Sequence, residues 1–191
     1  MYPLFDRIKS LCQGRHWPLR LVMWLWFLYL AVQCARDPEY TGLLGGINLG
    51  IHEFGHLITM PFGQTICVAG GSAVQCLVPL ISIGMFLKQE DLFALSFSFV
   101  WLATNLFGVA RYMADASAME LPLVTPFSGE GGEVIHDWNF LLNQMGLLDY
   151  DTRIAGVVQF AGWCSFALGI AWGAFILFLM ISLPKEDQSP A

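Results

Sequence analysis

Five stretches of this chain, at residues 21–35, 40–60, 65–86, 92–113 and 154–183, are apolar over about the thickness of a bilayer. A helix needs roughly 20 predominantly apolar residues to cross the hydrocarbon core. Inside that core every backbone N–H and C=O must be paired internally, which leaves helices or a closed barrel. Runs this long are helical. The expected fold is therefore all-α, a polytopic membrane helical bundle with about five transmembrane helices.

Composition agrees. The chain has 191 residues, 56% hydrophobic and 13% charged, against about 25% charged in a soluble globular domain. That length suits a single integral membrane domain, residues 1–191. The first run follows a basic segment, residues 1–20, with Arg7, Lys9, Arg15 and Arg20. This lead is long for a signal peptide, and Ala31-Val32-Gln33-Cys34-Ala35 is a poor cleavage site, so the run reads as a retained helix. A net charge of −6 without a basic run beyond the N-terminus excludes nucleic-acid binding. Five scattered cysteines without a CxxC pair offer neither a cysteine metal site nor a redox pair.

If successive runs cross in alternation, Arg7, Lys9, Arg15, Arg20, Arg111 and Arg153 share the N-terminal side, and Arg36, Lys88 and Lys185 lie opposite. The positive-inside rule then predicts a multi-pass protein of the cytoplasmic or inner membrane with a cytoplasmic N-terminus. Arg111 is expected to mark the end of the fourth run and to snorkel to the interface. Residues 115–152 differ in character: they hold seven acids before Thr152 and only polar or apolar residues otherwise, with Gly129, Gly131 and Gly132 marking a loop. Trp138, Leu141, Leu142 and Met145 then recur at helical spacing, which predicts a short amphipathic helix over 137–146.

One motif carries chemistry. His52-Glu53-Phe54-Gly55-His56 is an HExxH sequence, some 12 residues into its run, or about 18 Å along a helix axis. Residues four apart share a helix face, so His52 and His56 can reach one ion. Glu53 stands beside them, where it can act as general base on a bound water. Zinc suits two imidazoles and a third ligand, with a fourth position open. Three ionisable residues inside an apolar run are expensive and mark function by default. The third ligand is sought in His136 or Asp137, adjacent residues that open the short helix. If one ligates, the other can orient a ligand. Asp137 also suits a helix N-cap. Asp115 and Asp149 read as interfacial acids. Gly70, Gly71 and Ser72, at the start of the third run, are candidates to line a substrate groove, although close helix packing is the better explanation of small residues there.

A buried HExxH flanked by Gly45, Gly46, Gly50 and Gly55 in a small multispanning chain resembles the site-2 protease family of intramembrane zinc metalloproteases. The resemblance implies that His52 and His56 bind Zn²⁺ and that Glu53 activates water. It implies as partners the lipid bilayer and a membrane protein or peptide substrate. That family draws its third ligand from an Asp in an Asn-x-x-Pro…Leu-Asp-Gly pattern on a later span. The pattern does not occur here, so His136 or Asp137 must stand in. The expected function is cleavage of peptide bonds in membrane-associated proteins. The alternatives are a catalytically inactive zinc-binding adaptor, recognisable by a closed four-ligand site, and a zinc-dependent lipid hydrolase, recognisable by a lipid-sized cavity beside the metal.

Overall fold

The computed structural model describes residues 4–122 and 135–183. Gly129, Gly131, Gly132 and Lys185 lie outside the described residues. The elements are α1 (Leu4–Cys12), α2 (Pro18–Arg36), α3 (Gly42–Thr59), α4 (Gln64–Lys88), α5 (Leu92–Ala114), α6 (Asp137–Gln144) and α7 (Asp151–Ser182), with 3₁₀ turns at Met60–Phe62 and Leu148–Tyr150. The expected all-α bundle is the observed architecture. Local chemistry sets several boundaries. Pro18 opens α2 at the position where a missing N–H costs nothing. The Asp91 carboxylate caps α5 by accepting from the Ala94 N–H at 3.2 Å. Gly63, at φ 96°, turns the chain between α3 and α4.

The bundle buries polar side chains as well as apolar ones and turns large apolar side chains outward. Asn48, His52, Ser72, Gln75, Ser82, Ser96, Ser98 and Asn105 are buried, whereas Ile81, Val157, Phe160, Leu168 and Phe178 are exposed. Water would penalise that outward face, and lipid would not. The main seam joins α5 to α7. Gly162, Gly169 and Gly173 let α7 close on Phe107, Val100 and Ser96. Phe27, Phe93, Val100, Phe166 and Ile176 fill the adjoining core.

Four helices are long and apolar enough to cross a membrane: α2, α4, α5 and the helix beginning at the Leu148 turn, α7. The remaining run forms α3, an 18-residue helix. Asn48, His52, Glu53 and His56 lower its apolarity, and it is not among the four. Its direction departs from the alternation assumed above. α2 runs antiparallel to α7, with Arg20 near Met180 and Trp24 donating to the Ile170 carbonyl. α7 runs antiparallel to α5, with Ser117 bonded to Asp151 and Gly169 against Ser96. α2 and α5 are therefore parallel. α3 is also parallel to α5: Asn48 pairs with Thr104, and His52 lies beside Tyr112.

Two consecutive helices thus point the same way, and residues 37–41 must double back between them. They do so against protein. Arg111 Nη1 donates to the Glu39 carbonyl at 2.9 Å, and the Tyr40 ring meets Tyr29 edge-on. This corrects the side assignment. Lys88 joins Arg7, Lys9, Arg15 and Arg20 at one end, where Arg7 pairs with Glu90 and Arg20 with Asp91. Arg111 and Arg153 move to the other end with Arg36. The basic excess stays with the N-terminal end, five against three among the described residues.

Candidate metal centre

The HExxH residues sit where α3 closes on α4. That approach needs glycine on both helices. A Cβ at Gly55 would run into the Gly70 carbonyl, and one at Gly70 into the Thr59 side chain. A Cβ at Gly71 would lie 2.5 Å from His56 Nε2 and 2.7 Å from His52 Nε2. Gly70 and Gly71 therefore serve close packing, and Gly71 leaves the space in which both imidazole nitrogens stand. α3 buries His52 and half-buries Glu53 and His56.

Each imidazole is oriented from its far side. His56 Nδ1 donates to the Cys67 carbonyl at 2.8 Å, and His52 Nδ1 donates to Gln75 Oε1 at 3.0 Å. An Nδ1–H spent in this way leaves Nε2 with its lone pair free, the arrangement that metal-binding histidines require. The Asp137 carboxylate completes the group. Its Oδ2 lies 3.0 Å from His52 Nε2 and 3.1 Å from His56 Nε2, and the two Nε2 atoms are 3.0 Å apart. His52, His56 and Asp137 thus form a triad that could hold a metal ion. Three donors bound tetrahedrally at 2.0–2.1 Å to one small ion stand about 3.3 Å from one another, close to the observed triangle. Asp137 supplies a carboxylate oxygen to that triangle. Its ionised form is the form that binds metal.

Of the two candidates for the third donor, the structure brings Asp137 to the histidines and turns His136 away. His136 is the residue that caps α6, its Nδ1 accepting from the Asn139 N–H at 3.2 Å. Its Nε2 donates to Asp115 Oδ2 at 3.3 Å. Asp137 is the first residue of α6 rather than its cap. Asp115 is correspondingly more than an interfacial acid: it also accepts the Glu120 and Leu121 N–H groups. The His136 ring lies 4.3 Å from that of Tyr112, whose hydroxyl accepts the Asp137 N–H at 3.0 Å. Asn139 Nδ2 donates to the Ala116 carbonyl. These contacts fix the start of α6, and with it Asp137, to the end of α5. The helix keeps Leu141 and Leu142 buried, as its spacing predicts, but it ends at Gln144 and leaves Met145 exposed.

A cavity of about 720 Å³ opens beside the triad. His52, Glu53, His56 and Asp137 line it, together with Ser72, Gln75, Arg111 and Tyr112 and with apolar groups such as Leu44 and Phe107. Glu53 thus shares one space with the triad without belonging to it. Sequence reasoning missed the roles of Gln75, Tyr112 and the Cys67 carbonyl. A glutamine within an apolar run was a readable signal, whereas a backbone carbonyl leaves no trace in residue types. Comparison with family models, with curated proteins and with solved structures gave no match.

Proposed function

We propose that this chain is a membrane-embedded zinc metalloprotease, a divergent relative of the site-2 proteases, that cleaves peptide bonds of membrane-associated proteins. The observation that carries the reading is the convergence of His52 Nε2, His56 Nε2 and Asp137 Oδ2 at 3.0–3.1 Å in a cavity that Glu53 also lines. Two imidazoles and a carboxylate suit Zn²⁺, and among the described residues the group has three members, which leaves a coordination position for reaction. That open position favours an enzyme over a structural adaptor. The carboxylate of Asp137 is the donor type that the resemblance implies, delivered here from a short helix.

Zinc held by these residues would supply Lewis acidity, polarising a carbonyl and acidifying water. The chain's own groups do the rest. Glu53 takes a proton from water as the oxygen adds to the peptide carbonyl carbon. It returns that proton to the amide nitrogen as the C–N bond breaks. Gln75 and the Cys67 carbonyl hold the imidazoles in register, and Tyr112 and His136 hold Asp137. With the basic N-terminal end cytoplasmic, the site lies toward the opposite leaflet. The size of the cavity supports one second reading, hydrolysis of a lipid ester or amide by the same groups, since 300–1,000 Å³ is the usual range for small-molecule pockets.

The test uses full-length, zinc-loaded protein in liposomes. These contain apolar single-span peptides with a glycine-rich break, and products are read by mass spectrometry. Wild type should release peptide fragments, and Glu53→Gln should slow release by about 10²–10⁴-fold while keeping its zinc. Release of lipid fragments instead would establish the lipid reading. Unchanged peptide cleavage in Glu53→Gln would remove the mechanism.

A further inference from the structure

Hydroxyls inside apolar helices ordinarily donate to a backbone carbonyl, because no water is present to take the proton. This chain follows the rule. Thr59 donates to Gly55, Ser82 to Pro79, Ser96 to Phe93, Ser98 to Ala94, Thr104 to Trp101 and Ser182 to Phe178. Ser165 reaches across to Phe99. Ser72 departs from it. Its hydroxyl is buried without a hydrogen-bond partner, and the residue is 8% exposed. Two other buried polar atoms among the described residues share that condition, Asn105 Oδ1 and Trp138 Nε1, but neither residue lines the cavity, and Ser72 does. An unpaired buried hydroxyl costs about 1–3 kcal/mol, so one that persists at a site calls for a ligand.

Its neighbours indicate which ligand. Ser72 follows Gly71, whose Cα faces both metal-binding Nε2 atoms, and precedes Gln75, which orients His52. Two other polar groups on the cavity wall are engaged: Asn48 with Thr104 and Trp101, and Gln75 with His52. Ser72 shares the cavity wall with the two imidazoles and the carboxylate, and its hydroxyl, with its proton unspent, is a donor set to meet an oxygen acceptor bound at the triad. We infer that Ser72 Oγ donates a hydrogen bond to the carbonyl oxygen of the substrate at this site. The bond shortens as negative charge gathers on that oxygen during attack, which makes Ser72 a catalytic residue of the oxyanion-stabilising kind. The inference rests on the metal-dependent hydrolase reading and adds to it the group that receives the oxyanion.

Acetohydroxamate, a small metal-binding probe with a carbonyl oxygen, tests this apart from turnover. Its affinity is measured for full-length, zinc-loaded protein in detergent: wild type, Ser72→Ala and Ser72→Thr. Zinc content should be equal in all three. Ser72→Ala should bind the probe about tenfold more weakly, and Ser72→Thr, which keeps a hydroxyl, should recover most of that loss. In cleavage, Ser72→Ala should lower kcat by about 10²–10³-fold with KM little changed. Equal probe affinity in Ser72→Ala, or a wild type that fails to bind the probe, overturns the assignment. Hydroxyl-dependent probe binding in a protein that cleaves no peptide overturns the protease reading alone. Peptide cleavage with an unchanged kcat in Ser72→Ala overturns the Ser72 assignment alone.

Discussion

Two helix seams in this molecule use glycine for opposite ends. Along α5 and α7, Gly162, Gly169 and Gly173 make room for side chains: Phe107, Val100 and Trp24 fill what the glycines leave. Along α3 and α4, Gly55 sets its backbone against that of Gly70, Gly70 also makes room for Thr59, and Gly71 leaves its space to two imidazole nitrogens. The first seam is finished by apolar packing. The second ends in a group of polar atoms that could hold a metal ion. The fold therefore rests on one seam and the candidate metal site on the other, and the two should fail separately.

The largest effect should come from breaking one seam at a time. His56→Ala should abolish zinc binding while the bundle still folds. Phe166→Ala, at a residue 1% exposed in the core, should cost about 3–5 kcal/mol of stability yet bind zinc in whatever fraction stays folded. Zinc content and thermal unfolding in detergent, read on the same samples, separate the two. Loss of both properties in both variants would merge the seams into one unit.

Glycine replacements sharpen the contrast. Gly71→Ala should weaken zinc affinity by at least about 10²-fold, because its methyl enters the space of both Nε2 atoms and overpacking there displaces a donor. Gly169→Ala, whose methyl would meet Ser96 and Val100, should cost about 1–3 kcal/mol of stability and leave zinc affinity unchanged. Competition with a zinc chelator gives the affinities. A Gly71→Ala variant with native affinity would show that the imidazoles have room to spare.

Smaller effects are expected one step out from the triad. Gln75→Leu frees the His52 Nδ1–H from its acceptor and should lower zinc affinity by about 10–100-fold, with little change in helix content by circular dichroism. The smallest effect is on wild-type stability. Zinc at about 100 times its dissociation constant should add about 2.7 kcal/mol, so stripping it should lower Tm by a few degrees, and His56→Ala should show no such shift.

Much of this was legible in the sequence, and the residues show where legibility stopped. The apolar runs became helices because a bilayer-length apolar stretch has few other options. His52 and His56 converge because i and i+4 share a face. The direction of α3 was not legible. Its doubling back depends on Arg111 reaching the Glu39 carbonyl and on Tyr40 meeting Tyr29, contacts 72 and 11 positions apart. In sequence, residues 37–41 look like any loop at a membrane surface. His136 and Asp137 could not be separated either, since adjacent residues at the start of a helix are equally placed by spacing. Asp115 and Asn139 decide between them by engaging both ring nitrogens of His136. Ser72 was visible only as a small residue, because the feature that sets it apart is a bond it does not make.

His52, His56 and Asp137 are proposed to hold one zinc ion. The most direct test is zinc stoichiometry on metal-replete, detergent-purified protein, with wild type beside His56→Ala, Asp137→Ala and His136→Asn. One zinc per chain is expected in wild type and in His136→Asn, where an asparagine can keep the helix cap, and none in His56→Ala or Asp137→Ala. Absence of zinc from the wild type, or its retention in Asp137→Ala, would contradict it.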